Sequence, residues 1–220
     1  FLSIVAHDLR NPLNSIIGLS ELTQMDLSAD SPLREAVEHI NRSGEEMLEL
    51  IDELLNVARI EAYHDSFETR PVAWNSLLEK TIQRFRENAE RKHIQLKSEL
   101  EATADADVDG VEEWMGVIVN NLLSNALKYS PEYGKVTIRT EHTGDKVITR
   151  IEDSGPGISP DEQTKLFQKF VRLSAKPTGN EHSTGLGLYV VKQMCDRLGI
   201  NVRVESELGR GAAFILEQNV

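Results

Sequence analysis

The chain has 220 residues, enough for one large domain or two small ones, and its 40% hydrophobic content supplies a core of ordinary size for a globular protein. Its 36 Asp and Glu against 24 Lys and Arg give a formal charge of −12, a field that repels nucleic acid and anionic membrane surfaces. One cysteine, Cys195, can neither staple a fold nor build a thiolate metal site, and no apolar run approaches the roughly 20 residues that span a bilayer, so a reducing, cytoplasmic setting is expected. The chain opens inside a helical pattern at Phe1-Leu2-Ser3 without a methionine. It is therefore expected to be a fragment, with any membrane attachment confined to upstream regions.

From Leu2 to Thr23 apolar or small residues recur at Leu2, Val5, Leu9, Pro12, Ile16 and Leu19, alternating steps of three and four along one helix face. After a break at residues 27–32 the spacing resumes at Val37, Ile40, Gly44, Met47, Ile51, Leu54 and Ala58, with Pro32 suited to a helix start. The pattern predicts an antiparallel helical hairpin whose seam is formed by these positions. Leu13, Ile17, Leu48, Leu50 and Leu55 widen the stripe beyond what one partner helix covers, which predicts a homodimer with a four-helix bundle. On the first helix His7 falls at the outward f position, beside Asp8 and Arg10, with Asn11 one turn on. A carboxylate can hold the proton of one ring nitrogen and leave the other nucleophilic near neutral pH. Pro12 removes a helical hydrogen bond just below it and predicts a kink.

The heptad is lost over residues 63–70, which read as a linker or first strand, so a boundary is expected near 65: a helical unit 1–65 and a second unit 66–220. Beyond it the periodicity predicts helix over about 75–92, strand 94–100, helix 111–129, strands 136–140 and 147–151, a short helix 161–167, and helix 186–198. Strands 202–206 and 213–216 complete an α+β layer of mixed sheet under helices.

Three constellations in this second unit carry chemistry. Asn121, Asn125 and Lys128 share one helix face at i, i+4 and i+7. Such a stripe is compatible with a plain wetted face, but amide oxygens are also hard ligands for Mg²⁺, and an ammonium is a point charge for phosphate. Asp153 directly follows the expected strand 147–151, and the alternation of Val147, Thr149, Ile151 and Asp153 places its carboxylate on the apolar face, where it is costly unless hydrogen-bonded; an adenine amino group is a suitable donor, and Gly155 and Gly157 let the backbone approach. Thr184-Gly185-Leu186-Gly187 opens a helix whose terminal amides can receive phosphate. The polar stretch 172–184 before it has the length and composition of a lid.

In order, these motifs resemble the dimerisation and ATP-binding core of two-component sensor histidine kinases over essentially the whole chain. His7-Asp8-Leu9-Arg10-Asn11-Pro12-Leu13 looks like the phosphoacceptor box and Asn121 to Ser130 like the nucleotide box. Asp153 to Gly157 and Thr184 to Leu188 resemble the two glycine boxes, Phe167 to Arg172 the phenylalanine box, and Gly209-Arg210-Gly211 the closing glycine turn. The resemblance implies a Bergerat-type α/β sandwich binding ATP and Mg²⁺. Asn125 would ligand the metal, Asn121 support the phosphates, Lys128 contact phosphate, Tyr129 lie against the adenine and Asp153 read its amino group. Gly155, Gly157, Gly185 and Gly187 would shape pocket and lid, Thr184 and Leu186 would belong with them to the nucleotide-binding residues, and Arg172 would contact phosphate or the acceptor helix. It further implies autophosphorylation of His7 with Asp8 as general base and Arg10 as nearby charge, and transfer to a response-regulator aspartate. Asn11 stands where the family positions water for dephosphorylation of the regulator. Departures are Ala212-Ala213 in place of a common Ser-Thr, Ser183 where glycine is frequent, and Gly199-Ile200 for Gly-Gly. A nucleotide-binding scaffold without transfer is disfavoured by the intact His7, Asp8, Asn125 and Asp153, and a stand-alone ATPase by Asn121 where a carboxylate would activate water.

Overall fold

The computed structural model describes residues 2–28, 30–62, 68–101, 107–178 and 184–219. The chain forms two compact units, 1–64 and 65–220.

The first unit is a hairpin of α1 (Leu2–Asp26) and α2 (Arg34–Ala62). The seam differs from the one expected. Leu9, Pro12, Ile16 and Leu19 are exposed within the hairpin, whereas Ala6, Leu13 and Ser20 are buried against α2. On α2 the expected positions divide: Gly44 is buried and Val37, Ile51 and Ala58 are half-buried, while Ile40, Met47 and Leu54 are exposed. One alternate set of the heptad thus closes the hairpin and the other is left facing outward. Packing around Gly44 explains the choice: a Cβ there would come within 2.8 Å of Ile17 Cγ1, so the missing side chain lets the helices approach at this level. Beside it Asn41 Nδ2 donates to Ser20 Oγ (2.8 Å), and Ser20 Oγ donates to Ile17 O (2.7 Å), a polar layer that fixes the register of the two helices. α1 runs on through Pro12, and α2 starts at Arg34, two residues after Pro32, which lies in the connecting turn.

The second unit is a two-layer α+β sandwich. Its sheet has five strands in the order β2 (Gln95–Leu100), β4 (Lys135–Thr143), β5 (Lys146–Asp153), β7 (Ala212–Asn219) and β6 (Asn201–Ser206). β2 runs parallel to β4 and the other neighbours are antiparallel. A separate ribbon pairs β1 (Arg70–Ala73) with β3 (Asp107–Gly110). β3 is not expected from the sequence, because in these four-residue strands only Val72 and Val108, which face each other in register, are buried apolar residues. α3 (Trp74–Arg91), α4 (Glu112–Tyr129) and α6 (Gly187–Leu198) pack on the sheet, with the short α5 (Pro160–Gln163) beyond β5. The expected helix over 161–167 is thus shorter and continues as turns.

The core follows from the periodicities. α4 buries Trp114, Met115, Ile118, Val119, Leu122, Leu123, Ala126 and Leu127 in a continuous stripe, and α6 buries Val190, Val191, Met194 and Cys195. Burial pushes the Cys195 thiol up to about 12, so it stays a neutral core side chain. β5 supplies Val147, Thr149, Ile151 and Asp153 to the buried face, and Trp74 at the start of α3 is fixed there by donating from Nε1 to Thr149 Oγ1 (2.7 Å). Gly199 (φ +70°) caps α6, with Ile200 N donating to Cys195 O (2.9 Å), which accounts for a single glycine sufficing there.

Candidate functional site

Two groups of candidate residues lie in separate units. His7, Asp8, Arg10 and Asn11 stand on α1, where the His7 side chain is outside the described residues. Asp8 and Asn11 are exposed. Arg10 Nη2 donates to Asp52 Oδ1 of α2 at 2.5 Å, so this guanidinium ties α1 to α2 one turn beyond His7; both side chains are substantially exposed, and such a pair is worth under about 1 kcal/mol.

The second group gathers where β5 ends, β7 begins and α4 finishes. Asp153, the last residue of β5, is 8% exposed. Its Oδ1 accepts from Gly155 N (2.8 Å) and Ala212 N (3.3 Å), while no described residue donates to Oδ2. Burial is the dominant influence on this carboxyl and raises it from 3.8 to about 6; the two amide donors pull the other way and Glu152 adds a little repulsion. The carboxylate is therefore held in place by one oxygen and offers the other.

The glycines make this arrangement possible. Gly157 (φ +75°) passes so close to the β6–β7 turn that a Cβ would stand 2.1 Å from Glu207 O, and at Gly211 (φ +85°) a Cβ would stand 2.0 Å from Asp153 O. No L side chain fits either position without moving backbone. The two turns are further tied by Gly209 N donating to Pro156 O (2.8 Å) and Ile158 N to Ser206 Oγ (2.8 Å).

On α4, Asn121 Nδ2 donates back to Val117 O (2.9 Å), whereas the half-buried Asn125 amide bonds to no described residue. Lys128 is 9% exposed in the last turn, and the half-buried Tyr129 closes the helix, its carbonyl 2.9 Å from where a Cβ on Gly155 would be. The structure thus brings Asp153, Gly155 and the end of α4 together. Gly185 (φ +76°) accepts at its carbonyl from Phe170 N (3.0 Å), joining the segment before Arg172 to the start of α6. Thr184 Oγ1 accepts from Leu186 N (3.2 Å), and Gly187 is the first residue of α6. Arg172 is exposed. Of the stretch expected to form a lid, residues 172–178 and 184 are described without regular structure, and 179–183, Ser183 included, lie outside the described residues.

Two contributors went unread in the sequence. The Ala212 amide that helps hold Asp153 has no side-chain signature. Glu162 Oε1 accepts from Ser174 N (2.6 Å) and Oε2 from Ser159 Oγ (2.7 Å), which holds its carboxyl down at about 2 and fastens residue 174 to α5. The Ser159-x-x-Glu162 spacing of a capping box was the available signal. Among the described residues no three His, Cys, Asp or Glu side chains come together as a metal cluster. A hard cation here would rely on the amide oxygen of Asn125, which is chemically suited to Mg²⁺ and has no hydrogen-bond partner among the described residues.

Comparison with known proteins bears on both units. Residues 1–63 match the family model of the His Kinase A (phospho-acceptor) domain, and residues 110–219 that of the histidine kinase-, DNA gyrase B- and HSP90-like ATPases. The circadian input-output histidine kinase CikA of Synechococcus elongatus is 36% identical over 219 residues, covering 97% of this chain and 29% of that protein. The sensor histidine kinase RppB of a Synechocystis strain is 31% identical over 219 residues, covering 99% of this chain and 48% of its own. Among solved structures, full-length ShkA in complex with AMPPNP superposes with a TM-score of 0.75 at 28% identity, over 99% of this chain and 45% of that one. The chain spans less than half the length of each of these relatives.

Proposed function

Because the chain belongs to the sensor histidine kinases of two-component systems, we propose that it binds Mg-ATP in its α+β unit, phosphorylates its own His7 and passes the phosphoryl group to a response-regulator aspartate. The observation that carries this reading is Asp153: a buried carboxylate clamped through one oxygen by two backbone amides, with its other oxygen open to accept from an adenine amino group. Tyr129, beside the Asp153 loop, would lie along the base. Lys128 and Asn121 would meet the phosphates, and Arg172 with the amides from Thr184 to Gly187 would close on them. Asn125 would hold Mg²⁺, which when bound neutralises charge on the phosphates.

In the transfer step a ring nitrogen of His7 attacks the terminal phosphorus in line, the bond to the bridging oxygen breaks and ADP leaves with that electron pair. Asp8 takes the imidazole proton. A carboxylate oxygen of a receiver-domain aspartate then attacks that phosphorus in line, an O–P bond forms, the N–P bond breaks and the imidazole leaves with that electron pair. Asn11 would orient water for the reverse function, hydrolysis of the phosphorylated regulator. The outward stripe of the hairpin would be the homodimer interface. Catalysis on this account is positioning and charge neutralisation more than covalent chemistry by the nucleotide-binding unit.

The test is incubation of the chain with γ-labelled ATP. Acid-labile, base-stable label is expected, absent in His7→Gln and lost with nucleotide affinity in Asn125→Asp or Asn125→Ala. Equal labelling of His7→Gln would refute the acceptor, and unchanged Mg-ATP affinity and labelling in Asn125→Ala, which removes the ligand oxygen, would refute the metal ligand.

A further inference from the structure

The last turn of α4 leaves carbonyls with no helical amide to accept from, and such groups need partners when they are shielded from water. Here the partners come from two distant parts of the chain. Lys92, the residue that closes α3, donates from Nζ to Leu127 O (2.8 Å) and Lys128 O (3.4 Å). Thr178 donates its amide to Lys128 O (3.0 Å) and its hydroxyl to Ser130 O (2.6 Å). The two are joined, because Lys92 Nζ also donates to Thr178 Oγ1 (3.1 Å). The hydroxyl therefore gives its one proton to Ser130 O and receives one from the ammonium, and the ammonium sits at the negative pole of the α4 dipole.

We propose that Lys92 and Thr178 are positioning residues for nucleotide binding, holding the final turn of α4 in the conformation in which Lys128 and Tyr129 meet ATP. This rests on the nucleotide reading of the α4 face given above. That turn carries Lys128 and Tyr129, and the Tyr129 carbonyl packs against Gly155, whose amide holds Asp153. Loosening the cap shifts both the phosphate end and the base end of the pocket, while the chemistry at His7 lies in the other unit and stays untouched. A cap that served stability alone would lower the melting temperature of the chain without changing its affinity for ATP.

The experiment measures His7 labelling against ATP concentration for the 220-residue chain and for Lys92→Met, Thr178→Val and Thr178→Ser, with thermal melts of each. Lys92→Met and Thr178→Val are expected to raise KM for ATP about tenfold, the equivalent of one charge-assisted hydrogen bond, with kcat at saturating ATP within about twofold. Thr178→Ser, which keeps the hydroxyl, is expected to retain the parent KM. An unchanged KM in a folded Lys92→Met or Thr178→Val, or a Thr178→Ser as impaired as Thr178→Val, overturns the proposal. Should Lys92→Met be unfolded at the assay temperature, Thr178→Val decides by the same criterion. A parent chain that binds no ATP would instead bring down the nucleotide reading and this inference with it, whereas normal binding by parent and variants alike brings down this inference alone.

Discussion

At the scale of single residues the decisive group is Asp153, a buried carboxylate whose environment disfavours its charged form and leaves one oxygen without a donor among the described residues. Its carboxyl is raised from 3.8 to about 6, mainly by burial, so folding favours the protonated form. The share of stability this represents is fully present below about pH 4 and is lost as pH rises through 6; at neutral pH the empty protein carries a buried charge costing up to about 3 kcal/mol. Asp153→Asn removes that charge yet keeps an oxygen for the Gly155 and Ala212 amides. It is expected to melt at or above the parent temperature at pH 7.5, and to lack the further stabilisation expected of the parent with Mg-ATP. Melting curves with and without nucleotide check both halves, and an Asn variant still stabilised by ATP would contradict the assignment. In the parent chain affinity for ATP is expected to fall below pH 6 as the acceptor protonates. Asp153 was legible in the sequence because strand alternation forces it onto the apolar face. The amides that hold it were not, since a backbone donor leaves no mark on residue type.

At the scale of elements, long periodic segments were read well and short ones were not. α4 and β5 declare themselves by their spacing, whereas the β1–β3 ribbon buries one apolar residue per strand. The hairpin seam is ambiguous in the sequence for a different reason. A heptad marks which positions are apolar, but two partners compete for them, and the close approach at Gly44 decides which set each one receives. β7 breaks its own pattern: alternation puts Ala212, Phe214, Leu216 and Gln218 on the helix-covered face, and Gln218 is 2% exposed with neither side-chain amide atom hydrogen-bonded to a described residue. A buried amide left unpaired costs about 1–3 kcal/mol. Gln218→Leu, of similar volume and next to Val147 in register, is expected to raise stability by roughly 1–2 kcal/mol in urea unfolding with little change in slope. A destabilised Leu variant would mean that the amide is satisfied in solution.

At the scale of the whole molecule, the hairpin leaves a long stripe of large apolar side chains exposed. Leu9, Ile16, Leu19 and Leu22 on α1, Leu33 in the turn just before α2, and Ile40, Met47 and Leu54 on α2 are between 42% and 65% exposed, and the set from Leu33 to Leu54 repeats every seventh residue. A helix that presents a heptad of large apolar side chains to water is built for a partner. Completing the burial of a half-exposed side chain of this size is worth about 1 kcal/mol, and a two-fold dimer counts each residue twice, so the stripe can exceed the roughly 4–15 kcal/mol that association costs. Ile40→Glu with Leu54→Glu is therefore expected to convert a dimer into a monomer of 24.7 kDa in sedimentation at micromolar concentration. Since Asp153, Asn125 and Lys128 all belong to the other compact unit, the same variant is expected to bind Mg-ATP as the parent does. A parent chain that sediments as a monomer would leave the stripe without its proposed partner, and loss of nucleotide binding on separation would show that the two units depend on each other more than their separate cores suggest.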